Sequence, residues 1–145
     1  MTLTVFIDGS CVPNPGGIAS YGLIIYEFLK CLLAEGKVCG QGLMMSNNVA
    51  EYKALLAFFD WYKEHGDGRN AFIFSDSQLL VKQMNGEWGA TAGQYVPFYG
   101  QAIRFYNQKE NLQKFTFQWI PREKNIEADA LSKDALLQAG VPQPS

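Results

Sequence analysis

Apolar positions along the chain fall into short runs and helical stripes, and the two alternate after an opening of runs alone. Leu3 to Ile7 is a short β-branched and aromatic run that gives way to Asp8-Gly9-Ser10; it reads as a strand buried on both faces, with Asp8 at its C-terminal end. Cys11 to Gly17 holds two prolines and two glycines and reads as loop. Tyr21 to Phe28 and Cys31 to Leu43 read as two further strands, joined near Leu29-Lys30 by a turn without Gly, Asn or Pro. From Asn48 to Glu64 the period changes: Ala50, Ala54, Leu55, Phe58, Trp61 and Tyr62 recur at three- and four-residue spacing, which predicts a helix capped by Ser46 or Asn47 and stopped near Gly66. Ala71 to Phe74 repeats the opening pattern, a strand ending at Ser75-Asp76-Ser77, followed by a helix to about Met84. A third helix from Val96-Pro97 to about Lys109, a strand over Phe115 to Ile120 closed by Pro121, and a last helix from Asn125 to Gly140 complete the pattern.

Three strands followed by alternating helices and strands predict an α/β fold whose sheet has an antiparallel and a parallel portion. The chain of 145 residues is 48% hydrophobic, enough for one core, and a single domain over residues 1–140 with a disordered tail over 141–145 is expected. No stretch approaches the ~18 uninterrupted apolar residues that span a bilayer, and Met1-Thr2-Leu3-Thr4 does not resemble a signal peptide. A cytoplasmic protein without a membrane partner is the expectation. Cys11, Cys31 and Cys39 are odd in number and lack metal-ligand spacing, so they read as free thiols. The net charge of -2 argues against a polyanionic partner only on its face: with four of the 14 acidic residues engaged by divalent cations, the remaining 10 meet 12 Lys and Arg.

Two strands thus finish on an aspartate, Asp8 and Asp76. In open α/β sheets the functional crevice lies beyond the carboxyl ends of the strands. Parallel neighbours stand ~4.8 Å apart, so the two carboxylates would raise each other's pKa unless a divalent cation lay between them. Glu51, near the start of one helix, and Asp129, near the start of another, extend this to an oxygen-only set suited to Mg²⁺ or Mn²⁺ rather than zinc. Each of the four has a plain structural alternative, a turn or cap for the aspartates after strands and a dipole partner for the acids at helix starts.

Over almost its full length the sequence resembles type 1 ribonuclease H. The resemblance is carried by Phe6-Ile7-Asp8-Gly9-Ser10 with Asn14-Pro15-Gly16-Gly17 and Tyr21-Gly22, by Asn47-Asn48-Val49-Ala50-Glu51, by Ser75-Asp76-Ser77-Gln78, and by the run from Trp119 through Asn125 and Asp129 to Leu131. It implies a ribonuclease H-like fold, a five-stranded mixed sheet flanked by helices, antiparallel across strands 1-2-3 and parallel across 1-4-5. It also implies endonucleolytic hydrolysis of the RNA strand of an RNA/DNA hybrid, giving 3′-hydroxyl and 5′-phosphate ends with two Mg²⁺ ions, Mn²⁺ being a substitute. By the same resemblance Asp8 bridges both ions, Asp129 helps hold the one that activates water, and Glu51 and Asp76 hold the one at the leaving oxygen. A monomer is expected.

Substrate contacts follow from the same source. Asn14, Asn47 and Asn48 would lie along the minor groove, where the 2′-hydroxyl distinguishes RNA from DNA; Gly9, Ser10 and Ser46 would lie near the backbone, and Trp88 would stack on the DNA strand. Helix capping for the asparagines and a core position for Trp88 are the structural alternatives. Gly86 to Pro97 contains no Lys or Arg, so the basic protrusion of some members is missing. The loop after the last strand reads Pro121-Arg122-Glu123-Lys124 where many members carry a histidine, and Arg122 or Glu123 would substitute, as in the shorter archaeal-like branch. Other nucleases of the same fold, cutting double-stranded RNA or junctions, and a non-catalytic hybrid-binding module are the competing readings.

Overall fold

A computed structural model of the chain describes residues 1–141. Strands β1 (Leu3–Val12), β2 (Ile18–Glu27) and β3 (Lys30–Gln41) form an antiparallel meander. Strands β4 (Ala71–Ser75) and β5 (Phe115–Trp119) add in parallel to the other side of β1, giving the order β3-β2-β1-β4-β5. This is the mixed ribonuclease H-like sheet the resemblance implied. Helix α1 (Asn47–His65) packs on β1 and β2, with α3 (Val96–Tyr106) against it; α2 (Gln78–Met84) lies by β5, and α4 (Ile126–Gln138) lies over β2, β3 and β1. Among the described residues no helix is long and apolar enough to cross a membrane. The expected tail at 141–145 falls, from residue 142 on, outside the described residues.

The core follows from the strand alternation. Leu3, Val5 and Ile7 of β1, Ala71 and Ile73 of β4, and Phe115 and Phe117 of β5 point to one face, where Leu55, Phe58, Phe59 and Tyr62 of α1 meet them. An aromatic cluster closes the layer: the Phe59 ring lies 4.5 Å from Phe105 and 5.1 Å from Phe115, and Tyr62 lies 4.9 Å from Phe115. The opposite parity of β1 is less covered, because α4 lies toward β2 and β3. Thr4 and Phe6 are consequently half-buried, so β1 is not buried on both faces.

Several sequence-based boundaries shift, each for a local reason. The parallel ladder between β1 and β4 stops at Ile7–Ser75, yet the antiparallel ladder with β2 continues through Asp8–Gly22 to Val12–Ile18. Asp8 therefore lies inside β1 rather than at its end, and Cys11 and Val12 are strand, leaving only 13–17 as loop. The β2–β3 turn is Phe28-Leu29, with Phe28 taking the left-handed φ of 56° that a glycine usually supplies. Helix α3 ends at Tyr106 because the chain turns back through a separate 3₁₀ turn at Lys109–Asn111, where buried Asn111 donates to the Phe105 carbonyl at 2.8 Å. Ser46, not Asn47, caps α1: its hydroxyl accepts from the Val49 N–H at 3.2 Å.

Candidate active site

Asp8 and Asp76 are the first residues beyond the last parallel pair, Ile7 and Ser75, so two adjacent strands deliver them to the same edge. Asp76 is held there from three sides. The Ser75 hydroxyl accepts from the Ser77 N–H at 3.0 Å, the Ile120 N–H donates to the Ser75 carbonyl at 2.9 Å, and the Trp119 indole N–H donates to the Asp76 carbonyl at 3.2 Å.

Glu51 arrives from α1 because β1 and α1 approach at a residue without a side chain. A Cβ on Gly9 would collide with the backbone of Ala50 and Glu51, so any larger residue would push the helix off the strand. The Gly9 backbone in turn weakly opposes the upward pKa shift of the Glu51 carboxyl. On the other face a Cβ on Gly22 would strike the Ala128 carbonyl, and buried Ser20 donates to the Ser132 carbonyl at 2.7 Å. At the start of α4 the Asn125 amide donates to the Ile7 carbonyl at 2.8 Å. These contacts bring Asp129, in the first turn of α4, near enough to Asp8 to push that carboxyl's pKa upward.

Oxygens of Asp8, Glu51 and Asp76 lie within 4.8 Å of one another. Asp129 stands outside that tightest group. Its carboxylate is 2.9 Å from Lys133 Nζ, one turn along α4, and its side chain is more exposed than those of the other three. The structure thus gathers three of the four acids into a cage and sets the fourth at its rim.

Such a cage is costly without positive charge. Burial, followed by the charge of Asp76 and the proximity of Asp129, pushes the Asp8 carboxyl up to about 8. Burial and the charges of Asp8 and Asp76 raise Glu51 well above the ordinary carboxylate range. Asp76 is raised as well, chiefly by burial, with Arg122 opposing; that guanidinium sits 4.0 Å away on a largely exposed side chain. Glu51 Oε2 and Asp76 Oδ2 are buried without any hydrogen-bond donor. Buried acceptors and charges are ordinarily paired, and hard oxygen donors converging on one point fit a divalent cation.

The described chain matches, over residues 6–135, the model of the family described as reverse transcriptase-like. The chain belongs to this family. The bifunctional protein Rv2228c of Mycobacterium tuberculosis is 33% identical over 138 residues, covering 94% of this chain and 36% of that protein. The uncharacterized protein YpeP of Bacillus subtilis is 30% identical, covering 92% of this chain and 58% of its own length. The chain therefore spans about a third to somewhat over half the length of these curated relatives. Among solved structures, the N-terminal RNase H domain of Rv2228c superposes with a TM-score of 0.82 at 29% identity, covering 96% of each chain. LC11-RNase H1 in complex with an RNA/DNA hybrid gives 0.83 at 27%, covering 94% of this chain and 98% of that one. RNase H1 of the halophilic archaeon Halobacterium salinarum gives 0.82 at 25%, covering 95% and 99%. Membership of the reverse transcriptase-like family, with type 1 RNase H neighbours including an archaeal one, agrees with the resemblance read from the motifs.

The residues expected at the substrate fall into two groups. Asn14 is exposed, and its Oδ1 accepts from the Asn47 N–H at 2.9 Å, tying the β1–β2 loop to the start of α1. Asn48 is exposed and Asn47 and Ser10 are half-exposed, while Ser46 is occupied in capping and Gly9 in the strand–helix approach. Trp88 is not core: it lies in the loop after α2, 46% exposed, with Lys82 Nζ 5.6 Å from its ring centroid. Two neighbours of the carboxylates carried no signal in the sequence beyond the motif they sit in, Trp119 and Asn125. Their roles depend on which backbone carbonyls they meet, and those come from distant segments.

Proposed function

We propose that this chain is a metal-dependent ribonuclease H that hydrolyses the RNA strand of RNA/DNA hybrids endonucleolytically, leaving 3′-hydroxyl and 5′-phosphate ends. The observation that carries the reading is the buried cage of Asp8, Glu51 and Asp76, two of whose oxygens have no donor. The LC11-RNase H1 neighbour, solved with a hybrid, supports the substrate class.

Two Mg²⁺ ions, or Mn²⁺ in their place, supply when bound the Lewis-acid charge for an in-line displacement at phosphorus. Asp8, Glu51 and Asp76 would hold them, with Asp129 adding a carboxylate from the rim. The raised carboxyls of Asp8 and Glu51 surrender their protons as cations bind. Lys133 pairs with Asp129 at the rim, 2.9 Å away. Arg122, extended beside Asp76, offers a cation to a phosphate entering the site. Asn14, Asn47 and Asn48 present amides and carbonyls at one edge, the groups that read a 2′-hydroxyl, and Trp88 offers a ring face for the DNA strand.

Cleavage of labelled RNA/DNA hybrid, double-stranded RNA and a four-way junction, each with and without Mg²⁺, tests the proposal. Cutting of the hybrid's RNA strand only with the cation is expected. Junction-only cutting would point to another nuclease of the same fold, and hybrid binding without cutting would reduce the chain to a binding module.

A further inference from the structure

Asn125 stands at the cap position of α4, yet its side chain makes no capping bond to the helix. It is 1% exposed. Its Nδ2 donates instead to the carbonyl of Ile7, the residue immediately before Asp8, at 2.8 Å across a separation of 118 residues. It also lies near enough to Asp76 to oppose the upward shift of that carboxyl. Because the Ile7 carbonyl can only accept, the amide must present its nitrogen to β1, which leaves Oδ1 as the free end. That oxygen is buried and has no donor. The described structure thus contains three orphaned buried side-chain oxygens, those of Glu51, Asp76 and Asn125, and all three belong to one neighbourhood.

We propose that Asn125 is a positioning residue of the carboxylate site, tying the start of α4 to the backbone beside Asp8 while its carbonyl oxygen takes a hydrogen bond from the hydration shell of the bound divalent cation. The inference rests on the reading of the cage as a cation site. An amide suits the position where neither neighbour in chemistry does. A carboxylate would set a further negative oxygen against the Ile7 carbonyl and Asp76, and an aliphatic residue would leave that carbonyl without a donor. Groups that orient metal ligands from behind typically change metal affinity by about 10–100-fold when removed. The backbone of Asn125 adds to the tie, since its carbonyl accepts the Asp129 N–H at 3.1 Å and so sets the first turn that carries Asp129.

Calorimetric titration of Mg²⁺ and of Mn²⁺ into the full chain and into Asn125→Ala and Asn125→Asp is the test. Both variants should bind the ions on the order of tenfold more weakly, with the KM for a hybrid unchanged within about twofold. If both variants fold and bind the ions with the wild-type Kd, losing only thermal stability, Asn125 is a packing residue and the inference is overturned. If the wild-type chain binds neither ion, the cation reading fails and the inference with it. Should the variants fail to fold, the wild-type chain still decides: the Asn125 carboxamide resonances should move during a Mg²⁺ titration with the same Kd as the calorimetry, and resonances that stay in place through saturation overturn the proposal.

Discussion

Helix α1 buries two unlike surfaces, and the contrast between them explains most of this molecule. Its second half places Leu55, Phe58, Phe59 and Tyr62 against β4 and β5, where every buried group is apolar or has its polar end satisfied, as Tyr62 does by donating to the Arg69 carbonyl at 2.7 Å. Its first half places Glu51, equally buried, among like charges with one oxygen unpartnered. One region is stabilised by what it already contains, and the other holds buried acceptors that no donor in the described chain meets. A fold can hold such a destabilising cluster because the aromatic layer, the Gly9 approach and the Ser20–Ser132 contact supply the stability that the cage withdraws.

The contrast is broken most sharply at Asp8. Asp8→Asn should lower hybrid cleavage by about a thousandfold or more, since several kcal/mol of cation-supplied stabilisation disappear at about 1.4 kcal/mol per tenfold. The same change should raise the melting temperature of the metal-free chain at pH 8 by removing a repelling charge. Wild-type cleavage by this variant, measured with Mg²⁺ on a labelled hybrid, would mean the cage is not the active site.

At the other end of the helix the effects should invert. Phe59→Ala removes a ring packed on both Phe105 and Phe115 and should cost about 3–5 kcal/mol by denaturant unfolding. Cation affinity, measured where the variant is still folded, should remain that of the wild type. Loss of ion binding in a folded Phe59→Ala would show the two regions to be coupled rather than independent.

Acidity separates them more gently. Asp8 and Glu51 hold protons in the folded metal-free chain that the unfolded chain releases near its ordinary carboxylate pKa. Both folded values are raised, so the stability they confer is full below about pH 4, and the share of Asp8 is lost as pH rises through about 8. The melting temperature of the metal-free chain should therefore fall between pH 5.5 and 8 relative to Asp8→Asn, and saturating Mg²⁺ should flatten the fall. Parallel curves for the two proteins across that window would refute the assigned coupling. The apolar half of α1 should contribute no slope.

Much of this was legible before any coordinates. The change from period two to period three or four placed α1 and the strands, and the recurrence of an apolar run ending in aspartate put Asp8 and Asp76 on one edge. Boundaries failed where a residue's state depends on a partner far away. Asp8 stops one ladder and continues another, which no local pattern records. Phe28 takes a left-handed turn conformation because two long strands on either side demand it. Trp88, open to either a core or a surface reading by composition, is left exposed because the loop carrying it turns back onto Lys82.

The sequence alone determined which side chains were available to the chemistry and, through the spacing of its apolar positions, which elements would carry them. Those are short-range properties, set within a few residues by sterics, hydrogen bonding and periodicity. Only the tertiary structure decided that three acids form the cage while Asp129 waits at its rim with Lys133, and that Asn125 abandons its helix to grip the strand beside Asp8. Burial, charge coupling and orphaned oxygens are properties of groups brought together through space, and the chain order of those groups does not contain them.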